Sequence, residues 1–104
     1  MSQDARVHER FERRLRVRFQ HDGVEREGIT RNVSLGGMFI VLPGDFPPIG
    51  TELKVRVRLP ALKDDTELAV TVRWTHADGI GVQFGQLRAR EAWALNKLIA
   101  EPKS

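Results

Sequence analysis

Cysteine is absent from the 104 residues, and so is tyrosine. Without cysteine there is no disulfide, no thiolate nucleophile and no cysteine-ligated metal, a composition that suits a reducing compartment. Without tyrosine, and with Trp and Phe mostly at positions that fit a core, the exposed stacking platforms of single-strand nucleic-acid binders are not expected. Long apolar runs are missing too. The longest, Met38 to Leu42, is far too short to span a bilayer. The N-terminus has no apolar segment of the secretory kind, so the expectation is a cytoplasmic chain without membrane insertion. His8, His21 and His76 lack metal-ligand spacing, and adjacent Asp64 and Asp65 would splay apart in a strand or turn. Ser34 has no evident histidine base. No enzymatic activity, metal or cofactor is expected.

What is present is arginine. Lys and Arg number 17 against 14 Asp and Glu, a net charge of only +3. The basic residues cluster between Arg6 and Arg18, and arginine's planar fork favours bidentate recognition of an anion or a base edge over diffuse attraction.

Residues 1–13 carry almost no apolar periodicity, only Val7 and Phe11 in a charged run, and are expected to form a flexible arm. From Leu15 the chain alternates strictly, with Leu15, Val17 and Phe19 on one face and Arg16, Arg18 and Gln20 on the other. Asp22-Gly23 is hairpin chemistry. A polar strand over Val24–Val33 follows, with Gly28 as a bulge or a point of close approach. Met38–Leu42 reads as an apolar strand, and Pro43–Gly50 as a proline-rich loop. Leu53, Val55, Val57 and Leu59 form one inward face; Leu68, Val70, Val72 and Trp74 form the next, which places Trp74 in the core. Asp78-Gly79 turns into Ile80, Val82 and Phe84. Leu87, Ala94, Leu95 and Leu98 then fall on one helical face, with Trp93 and Ile99 at its margins. Six short strands and one helix point to a mainly β chain, a small antiparallel barrel with a C-terminal α-helix over 14–101 and a tail at 102–104.

Two constellations stand out. Arg10 and Arg14 lie four apart, and Arg31-Asn32-Val33-Ser34-Leu35-Gly36-Gly37 follows further on. In extended chain Asn32 and Ser34 would share a face and could address one ligand, and the paired glycines would supply positive φ or a close approach. The bland alternatives are a turn stabilised by Asn or Ser side-chain bonds, and a solvated arginine run partly neutralised by Glu9 and Glu12.

Together and in this order the two segments resemble the RxxxR and (D/N)xSxxG motifs of the PilZ family. The Pro47-Pro48-Ile49-Gly50-Thr51 approach to Leu53 and the Gly79–Phe84 ending are also similar to it. The resemblance implies a six-stranded antiparallel barrel with a C-terminal helix. It further implies a non-enzymatic bacterial receptor or adaptor that binds cyclic di-GMP and passes the signal to a partner protein in motility, secretion or polysaccharide output. By resemblance Arg10, Arg14, Asn32, Ser34 and Gly37 are the ligand residues. Glu9, Arg13 and Gly36 are candidate modulators; Glu9 occupies a place that influences ligand number in the family. The alternative is a PilZ-like module that binds protein and no nucleotide. A third reading, a basic barrel binding nucleic acid through Lys54, Arg56 and Arg58 together with the arm, is disfavoured by the shortage of exposed aromatics.

Overall fold

The structure of the protein, a computed structural model, describes residues 9–100. Most of the expected arm (residues 1–8, with Val7 and His8) and the expected tail (102–104) lie outside the described residues.

Seven antiparallel strands and one helix follow in order: β1 Phe11–Glu12, β2 Arg16–His21, β3 Val24–Val33, β4 Gly37–Val41, β5 Glu52–Val57, β6 Thr66–His76, β7 Gly79–Phe84 and α1 Ala89–Ala100. Six of the strands close a barrel in the order β3-β2-β5-β6-β7-β4, with β4 pairing back onto β3. Closure removes the exposed edges that an open sheet of this size would present. The short β1 is additional. It pairs Phe11 with Val33 and Glu12 with Asn32, where the ten-residue β3 runs beyond the end of β2. The part of the arm that is described is thus docked on the barrel.

Strict alternation explains β2 and β5. Val17, Phe19, Leu53, Val55 and Val57 are buried, while Arg18, Lys54 and Arg56 stand outside. The β2–β3 hairpin turns at Asp22 (φ 54°) and Gly23 (φ 76°), both left-handed as a two-residue type I′ turn requires. Gly28 is a close approach and not a bulge: a Cβ there would stand 2.7 Å from the Val41 carbonyl oxygen and from Ile40 Cγ2.

The bulges fall elsewhere, and they matter more. In β3 the pairing with β4 slips between Thr30 and Asn32; in β6 the pairing with β7 slips between Val72 and Trp74. One extra residue reverses which way the following side chains point. Trp74, expected in the core, therefore emerges outside and is 37 % exposed. Asn32 is likewise turned outward, beside Arg31.

The helix closes one end of the barrel with Ala94, Leu95 and Leu98. Glu91, only 3 % exposed, fixes its start. It accepts the Arg88 backbone N–H at 3.0 Å, the Thr66 hydroxyl at 2.8 Å and the Arg88 guanidinium at 2.8 and 3.2 Å. The backbone bond is half of a capping box, satisfying an N–H that the helix itself leaves unpaired. Burial alone would raise the Glu91 carboxyl, but the bonds from Arg88 and Thr66 outweigh it and hold it below its ordinary value. Trp93, expected at the margin of the buried face, is 52 % exposed. No helix among the described residues is long and apolar enough to cross a membrane.

Candidate functional site

The two bulges build the site. Asn32 pairs with Phe39, Phe39 with Gly81 and Gly81 with Trp74, so four strands contribute one continuous cross-strand row. Gly81 is needed in it. A Cβ at that position would lie 1.9 Å from Trp74 Cε2, so only glycine lets the indole lie flat across the sheet. Arg10 reaches over this row from the residue before β1. Its guanidinium donates to Asn32 Oδ1 at 2.6 Å and stacks 5.0 Å from the Trp74 ring centre. The two sequence motifs, 22 residues apart at these positions, are thereby in direct contact.

Around them opens a cleft of about 290 Å³, lined by Arg10, Arg31, Asn32, Phe39, Trp74 and His76. Phe39 is buried, yet stands apart from the central core. The Arg31 guanidinium lies 5.1 Å from its ring centre, and His76 meets it edge-on at 6.2 Å. Arg31 also donates to Asp78 Oδ2 and holds that carboxyl below its ordinary value. His76 Nδ1 stands 3.7 Å from Asp78 Oδ1, an oxygen shielded from solvent that has no hydrogen bond among the described residues. The cleft thus offers an amide, two guanidiniums and aromatic faces. These groups suit a planar, acceptor-rich anion.

The other expected site residues sit differently. β3 ends at Val33, so Ser34 leaves the alternation and does not share the outward face of Asn32. It is 5 % exposed, and its Oγ accepts the N–H groups of Gly36 and Gly37, both at 3.1 Å. Its own N–H donates to the Gly37 carbonyl at 2.8 Å, which closes the β3–β4 turn. Neither Gly36 nor Gly37 has positive φ. Close approach is what Gly37 provides: a Cβ there would stand 2.1 Å from the Val82 carbonyl oxygen. Gly36 accepts the Phe84 N–H at 2.9 Å. Arg14 and Glu9 are exposed, and neither lines the cleft.

Arg13 has turned away from the cleft. Its Nε and one terminal nitrogen donate to the carbonyls of Leu98 (3.0 Å) and Ile99 (3.1 Å), and the other nitrogen to the Glu12 carbonyl (2.8 Å). A cation at the C-terminal carbonyls of a helix satisfies acceptors the helix leaves open and opposes its dipole. Buried Thr30 anchors the same segment: its Oγ1 accepts the Leu15 N–H and donates to the Arg13 carbonyl, both at 2.7 Å. Sequence reading missed Thr30, Trp74 and His76 as members of this region, and named Arg31 within the second segment without giving it a ligand role. The one signal available for Trp74 was the glycine-rich stretch Gly79 to Gly81 on the neighbouring strand β7.

A sequence profile of the PilZ domain matches residues 4–101. The chain belongs to the PilZ domain family. No curated protein matches it in sequence. Among solved structures, the PilZ domain of YcgR from Escherichia coli, described with c-di-GMP, superposes with a TM-score of 0.75 at 13 % identity; 92 % of this chain and 89 % of that one are covered. The inhibitor of motility MotI/DgrA of Bacillus subtilis gives 0.73 at 22 % identity, over 90 % of this chain and 49 % of that one. This PilZ chain therefore spans about half the length of that relative. The PilZ domain of CeSA from a cellulose-synthesizing bacterium gives 0.65 at 14 % identity, over 88 % and 94 %. The barrel with its terminal helix is the PilZ fold.

Proposed function

We propose that this PilZ chain is a non-enzymatic, cytoplasmic receptor for cyclic di-GMP that presents a changed surface to a protein partner. The observation that carries the reading is the contact between Arg10 of the first motif and Asn32 of the second, over the exposed ring of Trp74. The ligand carries two phosphates and guanine edges with O6 and N7 acceptors, which an arginine fork matches bidentately. A guanine slid between Arg10 and Trp74 would stack on both, and Asn32 would accept from its N–H groups. Hydrogen bonds to charged groups contribute about 1.5–3 kcal/mol each. Four or five, offset by ordering costs, suit micromolar affinity, about 8 kcal/mol.

On this reading nucleotide replaces Asn32 as the partner of Arg10 and recruits Arg14 to the cleft. Hydrogen exchange checks it: protection should rise over residues 9–14 and 31–37 and change little in β5.

A second reading, a PilZ module that binds only protein, is favoured by the state of Ser34, whose hydroxyl is already engaged inside its turn. Calorimetric titration with cyclic di-GMP, with GTP and single-stranded DNA as controls, decides between them. Saturable micromolar binding of cyclic di-GMP alone supports the receptor. No heat with any of the three supports the interaction module, and a response to DNA alone overturns both.

A further inference from the structure

The outward face of α1 is built for contact. Ala89, Trp93, Asn96 and Ala100 run along its centre, all exposed, opposite the buried Ala94, Leu95 and Leu98. Arg90 and Lys97 border it on one side, and the Lys97 ammonium lies 5.9 Å from the Trp93 ring centre. Trp93 is 52 % exposed. A half-exposed tryptophan flanked by cations and set among alanines has the composition of an interface anchor. The alanines let another helix approach closely.

We infer that the Trp93 face of α1 docks an acidic amphipathic helix of a partner protein, its apolar side on Trp93 and its carboxylates against Arg90 and Lys97. Charge decides the occupant. The one acidic residue of α1, Glu91, is buried and already bonded, so the charged side chains that the helix itself turns outward are Arg90 and Lys97, of which Arg90 also lines a cleft with Asp64, Asp65 and Glu67. A second copy laid on this face would bring like charges together, which opposes self-association. A membrane surface would find one large apolar side chain among alanines, too little to insert. Nucleic acid would find two cations and one ring, a small electrostatic footprint. The face stands apart from the nucleotide cleft and does not depend on nucleotide binding.

The chain has two tryptophans, so fluorotryptophan labelling gives two signals, assigned by Trp93→Phe. The probe is a synthetic helical peptide with leucines at i, i+3, i+4 and i+7 flanked by glutamates. Controls are the same peptide with lysines in place of glutamates, phosphatidylglycerol vesicles, single-stranded DNA, and a dilution series of the protein alone by sedimentation. The acidic peptide is expected to shift the Trp93 signal saturably and to leave the Trp74 signal in place. Trp93→Ala should then weaken binding at least about 30-fold, equivalent to about 2 kcal/mol. Arg90→Glu and Lys97→Glu should each weaken it about tenfold, with the melting temperature of all three variants unchanged. The inference is overturned if the acidic peptide leaves the Trp93 signal unmoved at millimolar concentration. It is overturned equally if the lysine peptide binds as well, or if vesicles, DNA or a second copy move that signal more tightly.

Discussion

Two faces of the barrel carry arginines, and one arginine, Arg10, is partnered unlike the rest. On the β2–β5–β6 face three arginines meet carboxylates: Arg18 faces Glu25 and Asp65, both at 3.8 Å, Arg56 faces Glu67 at 3.6 Å and Arg58 faces Asp65 at 3.3 Å. On the cleft face Arg31 also pairs with a carboxylate, that of Asp78, but Arg10 has none among the described residues and rests on an indole and an amide. Exposed ion pairs contribute little to stability, but they cancel local charge. A cation over a ring keeps its charge and its donors for an incoming anion. The sequence places arginines in both regions; partners decide which group is available. These pairs also explain why a stripe that relies on Arg56 and Arg58 is poor at holding nucleic acid.

The largest expected effect is on the cleft face. Arg10→Ala combined with Arg14→Ala should reduce cyclic di-GMP binding below calorimetric detection while the fold persists by circular dichroism. Binding within a factor of two of the parent would break the contrast between the faces. Trp74→Ala comes next, with a loss of about 1–3 kcal/mol, the usual worth of one base–aromatic stack, read in the same titration. Ser34→Ala should act mainly on stability, lowering it by about 1–2 kcal/mol in chemical denaturation, because it leaves two N–H groups of the turn without their acceptor. Acid should act through Glu91, whose value is depressed in the folded protein. Its contribution is full above the ordinary carboxyl value of 4.5 and is lost as pH falls below that value through the lower folded one. Glu91→Gln should flatten the acid limb of a pH–stability curve measured in that range. The smallest effect belongs to the paired face: Arg56→Ala should change stability by less than about 0.5 kcal/mol and leave nucleotide binding unaltered.

Much of this architecture is legible in the sequence, for physical reasons that also set the limits. β2 and β5 are read correctly because each buries one face only, and period-two alternation reports that directly. The β2–β3 turn follows from Asp22-Gly23, whose types match the left-handed backbone. The contact of Arg10 with Asn32 follows from motif order, since no spacing rule brings together residues on different strands. Trp74 is misplaced because a bulge inserts one residue without any mark in hydrophobicity, and everything after it changes sides. Asn32 and Ser34 are separated for a related reason: alternation holds only while the strand lasts, and β3 ends between them. The docked β1 was hidden because its two residues gain their place from the overhang of β3 and not from their own pattern.

The stacking of Trp74 on Gly81 carries an evolutionary consequence. An indole can occupy its position only while the position across the ladder stays bare, and a bare glycine there exposes backbone unless something flat covers it. The two sites are therefore expected to drift as a pair. A lineage that gains a side chain at 81 must shrink or redirect the residue at 74, and with it the floor on which any purine would rest. Among related barrels, this single exchange of a tryptophan–glycine couple for two medium-sized residues should mark where base stacking has been given up.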